Sequence, residues 1–511
     1  MATAWTIGGG FTLALGIALW TIGSAPRANE PDSNSVTSFR SEPGETVRPT
    51  VVGMNLGNAN YYTSEWAFDD IVQTTGNLRF GWADVTNQIM RDTTEHPIDV
   101  PEGTKLTVII QQDTPRIPTG TFRCHMSKGW AVRPIGDWTM EGEGTEFRMK
   151  VTKAVSKYGI VLSLRSTVPH ASLTELSCRP ERRGAVRLFN PTFLTDTKPF
   201  RVIRFMDWMG TNNAPHRDWS TRATPAFFSQ SGRHGVALEH MVALANELGS
   251  DPWFTLPFDA DGNYYQEFAT YVRDHLATDR KVYVELSNEV WNTDFSQARE
   301  AARLGQLRYP GIPISQATDY YYADRVRDLM AIWSLVFRGQ ERRLVRVLAS
   351  QSVNPARGEE ALSHDDTWRS VDALATAPYF GTSGADIKPV QGHRIDEIFR
   401  EAPHLVDKAI YYAHANKRVA GKFHLRYISY EGGPEISSPR PELQADLIAV
   451  NQDPRMYDIY IHYLQRWKDE IGDVLVLYNS VSSRPIGHRK YTGQPLNEAP
   501  KARAVLDFAR H

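Results

Sequence analysis

Eight short apolar runs constrain this chain more than any other feature: TVVGMN, RVIRF, PWFTL, VYVEL, LVRVL, VDALATAPYF, LRYIS and DVLVL, each ending in or stopping at polar or aromatic residues. From Phe200 onward the runs alternate with amphipathic stretches such as ALEHMVALANELG, YYQEFATYVRDHL and FSQAREAARLG, whose apolar positions recur at helical spacing. Over 319–337, Val326, Leu329, Trp333 and Val336 predict a longer helix, and KARAVLDFAR predicts the last one. Strand followed by helix, eight times over, is the pattern of a (β/α)8 barrel, an α/β fold whose chemistry sits at the carboxyl ends of its strands.

The first run stands apart from the other seven. Between them, roughly 76–199, lie alternating segments (KLTVIIQQ, TFRCHMS, EFRMKVTK, GIVLSLRS) separated by Gly, Pro and Asp turns, the texture of an all-β, sandwich-like domain. The expected layout is a first strand and loop over 49–75, an inserted β domain over 76–199, and the rest of the barrel over 200–511. A length of 511 residues accommodates a barrel of about 250 residues plus such a module. Cys124 and Cys178 both fall in the β-rich stretch; they pair if the compartment is oxidising and otherwise stay as separate buried thiols.

Ahead of the barrel, Ala2 to Ala25 runs without a charge, the length of a membrane span or a signal sequence. A polar tract over 26–48, rich in Ser, Pro, Asn and Glu, reads as a flexible linker. Together they predict export, with the barrel secreted or attached to the membrane outside the cytoplasm.

A formal net charge of -2 gives no reason to expect nucleic acid, whose binding is driven by clustered Lys and Arg. The 15 histidines form no HExxH or other paired ligand spacing, so no metal is expected. With no Walker loop, GxSxG elbow or dinucleotide fingerprint, no cofactor is expected either.

Carboxylates at strand ends carry the chemical signal. The dipeptide Asn-Glu occurs four times, but only Glu289, in VYVELSNEVWN, sits at the end of a barrel run. Glu431 has the same placement at the end of LRYISYE, followed by Gly432 and Gly433, which free the backbone for a tight exit. These are the fourth and seventh runs. Acids on those strands can converge across the barrel mouth, and two carboxyl groups about 5 Å apart perform double-displacement glycoside hydrolysis.

In these motifs the chain resembles the clan of retaining (β/α)8 glycosidases that includes the cellulase and mannanase families, over roughly 200–480 and the first strand. The resemblance implies that Glu431 is the nucleophile, Glu289 the general acid/base, and Asn288 the holder of the sugar 2-hydroxyl. It further implies that Arg204 in RVIRF keeps the nucleophile ionised and that Tyr379 in APYFG donates to it. Two positions depart from the clan. Where many members carry a His after strand three, this chain has LPFDAD, so Phe258 replaces it and Asp259 or Asp261 is expected to take the polar role. Where strand eight commonly ends in Trp, it offers Tyr478 and Asn479. Tyr61, Tyr62, Trp66, Trp208 and Trp291 are candidate walls for sugar faces.

The expected function is hydrolysis of a β-linked polysaccharide or oligosaccharide. Two alternatives use the same cleft: a catalytically inactive carbohydrate-binding protein, and a transglycosylase that passes the glycosyl group to a sugar.

Overall fold

In the computed structural model the eight apolar runs become the parallel strands of one closed barrel. The strands are β1 (Val51–Asn55), β2 (Val202–Arg204), β3 (Asp251–Leu256), β4 (Val282–Leu286), β5 (Leu344–Ala349), β6 (Ala373–Thr376), β7 (Arg426–Ser429) and β8 (Val474–Leu477). They neighbour one another in chain order, and β1 closes the ring on β8. The structure describes residues 47–511 except 77–78, 81–82, 85–88, 113, 183, 216, 233, 384–393, 438–440, 483 and 511. The predicted leader over 1–25 and nearly all of the predicted linker lie outside the described residues.

Side-chain alternation along each strand separates two cores. Val202, Trp253, Tyr283, Val347, Ala373, Ile428 and Val476 pack together in the barrel interior, while Ile203, Phe254, Val284, Leu348, Leu374, Tyr427 and Leu475 pack outward into the helices. The same parity points Asn55, Arg204 and Glu285 inward. Gly53 of β1 is required by close approach, since a Cβ there would lie 2.9 Å from the Val202 Cβ. Helices Leu238–Leu248, Gly262–His275, Ser296–Arg308, Ile314–Val336, Pro355–Ser363, Arg394–Lys422, Arg455–Arg466 and Pro500–Ala509 surround the barrel.

The sixth run differs from its expected extent. It leaves the barrel at Thr376 because Pro378 has no N–H for the ladder, and Tyr379–Ser383 instead pairs in parallel with Gly433–Ser437. Tyr379 therefore stands on a two-stranded ribbon that continues from the exits of β6 and β7.

Between β1 and β2 lie two antiparallel sheets around a single core. One contains Leu176–Pro180, Gly120–Met126, Glu146–Val151 and Trp138–Glu141; the other contains Lys105–Gln111, Ile160–Ser166 and Trp130–Gly136 with two short strands at its edge. Cys124 and Cys178 face each other across neighbouring strands and form a disulfide. Closing a loop with a sequence separation of 54 restricts the unfolded chain by about 4 kcal/mol in the chain-entropy account. Ile71 and Val72 from the short helix Ile71–Thr74, and Phe228 from the loop after β2, belong to the same core. The β domain thus draws on chain ahead of 76 and is anchored to the β2 loop. Asp70 strengthens that join, accepting hydrogen bonds from the backbone N–H of Val72 and of Cys178.

Candidate active site

At the centre of the barrel, Arg204 is fully buried and every arm of its guanidinium is engaged. Glu285 of β4 takes Nε at 3.1 Å and Nη2 at 2.9 Å; Asn55 Oδ1 takes Nη1 at 3.1 Å and Asn288 Oδ1 takes Nη2 at 2.9 Å. The remaining contact is Nη1 to Glu431 Oε1 at 2.8 Å. Burial opposes the arginine charge, but Glu285 and Glu431 outweigh it and hold the guanidinium protonated. Trp253 Nε1 also donates to Glu285, at 2.8 Å. Asn55 ties the hub to the strand ends by donating to the carbonyls of Tyr430 and Leu477.

Glu431, 5% exposed, follows β7 and receives a second donor: the Tyr379 hydroxyl reaches its Oε2 at 2.9 Å. Burial holds its carboxyl above the ordinary carboxylate range, and Arg204 and Tyr379 offset part of that rise. Glu289, 8% exposed, follows β4 in a left-handed backbone conformation at φ 44°. Its donors are both neutral: Asn292 Nδ2 at 2.9 Å and the Tyr430 hydroxyl at 3.3 Å. Burial first, and the charge of Glu431 second, push the Glu289 carboxyl up to about 8. Glu431 therefore ionises before Glu289.

Several of the predicted residues gather here. Asn288 is fixed by Arg204, donates from Nδ2 to Asn212 Oδ1 at 3.1 Å, and is steadied by Gln297, which bonds both its carbonyl and Asn212. Tyr478 lies across the mouth and donates to Asp207 at 3.1 Å. Trp291, half-buried, lines a small pocket beside the Glu289 loop together with Asp319, Tyr322, Ser350 and Arg357. Tyr61 and Tyr62 meet edge to face at 5.2 Å on the β1 loop, and Trp66 is half-buried beyond them.

Two expectations are corrected. Trp208 does not wall a cleft; its ring is 1% exposed and packs against Phe68, Phe193 and Phe205, because the turn after β2 directs it into the outer core. The polar role expected of Asp259 or Asp261 is not taken up at the acids. Asp259 is exposed, and Asp261 caps the helix Gly262–His275 through the Tyr264 N–H. Phe258 is buried, its ring 6.3 Å from that of Tyr321.

Sequence reasoning missed Asn55, Glu285, Asp207, Asn292 and Tyr430. A glutamate at an inward position of an otherwise apolar strand requires a buried cation, so VYVEL and RVIRF together contained the signal for the Arg204–Glu285 pair. Asn292 follows Glu289 by one helical turn and could have been found as its neighbour.

No family model matches the chain, and no curated protein matches it. Among solved structures it is similar to a family 51 α-L-arabinofuranosidase from Bifidobacterium longum, at 13% identity and TM-score 0.40 over 62% of this chain and 66% of that one. It is also similar to a 4-O-α-L-rhamnosyl-β-D-glucuronidase from Fusarium oxysporum, at 9% identity and TM-score 0.38 over 62% and 64%. A β-glucosidase from Thermotoga maritima matches at 9% identity and TM-score 0.33 over 62% and 84%. The chain spans less than two thirds of the length of the first two. By its own strand order, the chain is a (β/α)8-barrel protein with an antiparallel β-sandwich set into its first βα connection.

Proposed function

We propose that the chain is a retaining glycoside hydrolase acting on a β-linked polysaccharide or oligosaccharide, with Glu431 as nucleophile and Glu289 as general acid/base. The observation that carries this reading is the unequal company of two buried carboxyls: Arg204 and Tyr379 converge on Glu431, while Glu289 has only neutral donors. Glu431 then ionises first and is the acid ready to attack, while Glu289 keeps a proton to give up.

In the first step a Glu431 oxygen bonds to the anomeric carbon, the bond to the leaving oxygen breaks, and the Glu289 proton passes to that oxygen. Esterification removes the Glu431 charge, which was the second cause of the raised Glu289 carboxyl, so that carboxyl falls and, having given up its proton, Glu289 stays ionised and ready to act as a base. Water then attacks the anomeric carbon, its proton goes to Glu289, and the ester bond breaks to free Glu431. On this reading Asn288, which accepts from Arg204 and donates to Asn212, holds the sugar 2-hydroxyl.

Export is part of the same proposal, supported by the pairing of the chain's two cysteines and the uncharged stretch that opens it. The test is a panel of polysaccharides scored for new reducing ends, with the first-formed anomer followed by proton NMR on any substrate cleaved. The β anomer is expected to appear first. An α anomer appearing first would mean inversion and would overturn the mechanism.

A further inference from the structure

A third acid shares the barrel mouth. Asp207, three residues beyond β2, is half-buried, and its Oδ2 accepts a hydrogen bond from the Tyr478 hydroxyl at 3.1 Å. No hydrogen bond reaches its Oδ1 from any described residue. Burial, and after it the charge of Glu431, push the Asp207 carboxyl up to about 7. Tyr62, on the β1 loop, is raised by burial and then by Asp207. Asp207 therefore sits where the loops after β1, β2 and β8 meet, within the electrostatic reach of Glu431.

The charges around it are one-sided. Asp207, Glu289 and Glu431 border the mouth, and Glu285 lies beneath them. Arg204 is the cation that acts on both Asp207 and Glu431, but it is 0% exposed and its arms are taken by Glu285, Asn55, Asn288 and Glu431. It has no arm left for a ligand carboxylate. Arg484, which acts on Tyr62, is exposed on the loop after β8. A sugar carboxylate entering beside Glu431 would meet carboxyl groups, whereas a hydroxyl would find an acceptor at Asp207 Oδ1 and a phenol oxygen at Tyr478.

We propose that Asp207, with Tyr478, reads the sugar in the cleavage site and restricts it to neutral glycones that donate a hydroxyl hydrogen bond, excluding uronic acids. The proposal rests on the glycosidase reading for the position of the sugar. Asp207 is ionised above its value near 7, and removing a hydrogen bond to that carboxylate should cost roughly ten- to a hundred-fold in kcat/KM for the preferred substrate.

The test uses the full chain and its Asp207→Asn and Asp207→Ala variants with 4-nitrophenyl β-glucoside, galactoside, mannoside, xyloside and glucuronide. Wild type is expected to cleave at least one neutral glycoside at least a hundred-fold faster than the glucuronide, and Asp207→Asn to lose ten- to a hundred-fold on that substrate. Glucuronide cleavage within tenfold of the best neutral glycoside, or an Asp207→Asn rate within twofold of wild type, overturns the proposal. A second arm needs no turnover: melting-temperature shifts with the free neutral sugars and with glucuronate, for wild type and Asp207→Asn. Shifts with neutral sugars only, reduced by the substitution, support the proposal even if no glycoside is cleaved, in which case the hydrolase reading alone falls. Equal shifts with glucuronate, or none with any sugar, overturn it.

Discussion

The exits of β4 and β7 place the same functional group, a buried carboxyl, in the same barrel mouth by different means. At β7 the backbone is eased out by Gly432 and Gly433; Gly433 has φ 110°, and a Cβ there would lie 2.7 Å from the Tyr460 hydroxyl. At β4 the turn is made without glycine: Ser287 and Glu289 take φ 60° and 44°. Such conformations cost on the order of 1–3 kcal/mol each and persist where the surroundings fix them, here by Arg204 and Gln297 on Asn288 and by Asn292 on Glu289. The larger contrast is in the donors. Burial raises both acids, but a guanidinium and a phenol bonded directly to Glu431 offset it there, whereas the hydrogen bonds to Glu289 come from neutral donors and Arg204 acts on it only through its field, as the least of the causes. The depth of the site makes the carboxyls sensitive to their neighbours, and the neighbours decide which one is ionised.

Removing the acid at each exit tests that contrast most directly. Glu431→Ala should reduce turnover on the order of 10^4- to 10^6-fold on any substrate, since no other described carboxyl is held by both Arg204 and Tyr379. Glu289→Ala should lose about 10^2- to 10^4-fold on an unactivated polysaccharide and much less on an aryl glycoside, whose leaving group needs no proton. Initial rates on both substrate types check this. Equal losses on both would mean that Glu289 does not protonate the leaving group.

The difference between the exits was only partly legible in the sequence. All eight strands could be read because apolar runs ending in polar residues are local signals, and Glu289 and Glu431 were found as acids at strand ends, whereas Arg204 and Tyr379 came only from the resemblance to the glycosidase clan. What holds them was not local. Asn55, Arg204 and Glu285 meet because alternation on three strands points them along one axis, and chain spacing does not reveal that convergence. Trp208 shows the opposite failure: an aromatic just past a strand end looked like a sugar platform, and one turn of backbone sent it into the outer core. Likewise Tyr379 reaches Glu431 from a ribbon that Pro378 separates from β6.

A smaller change at the β7 exit should move its acid toward the behaviour of the β4 acid. Tyr379→Phe removes the 2.9 Å hydrogen bond to Glu431, one of the two donors offsetting burial. The Glu431 carboxyl should rise, so the acidic limb of the kcat/KM profile moves to higher pH, with a loss of roughly ten- to a hundred-fold at neutral pH. An unmoved limb would leave Arg204 as the sole control of Glu431.

The mildest perturbation belongs to the β4 exit and has the opposite consequence for the usable pH range. Glu289 must be protonated to assist departure, so activity falls as pH rises through its value near 8. The Asn292 hydrogen bond favours the ionised form and holds that value down. Asn292→Ala should therefore raise it and carry the alkaline limb of kcat/KM upward, by several tenths to about one pH unit. The acidic limb, set by Glu431, should stay in place. The two substitutions then act on separate limbs, Tyr379→Phe narrowing the profile from the acid side and Asn292→Ala widening it on the alkaline side. If Asn292→Ala moved the acidic limb instead, the assignment of Glu289 as acid and Glu431 as nucleophile would have to be exchanged.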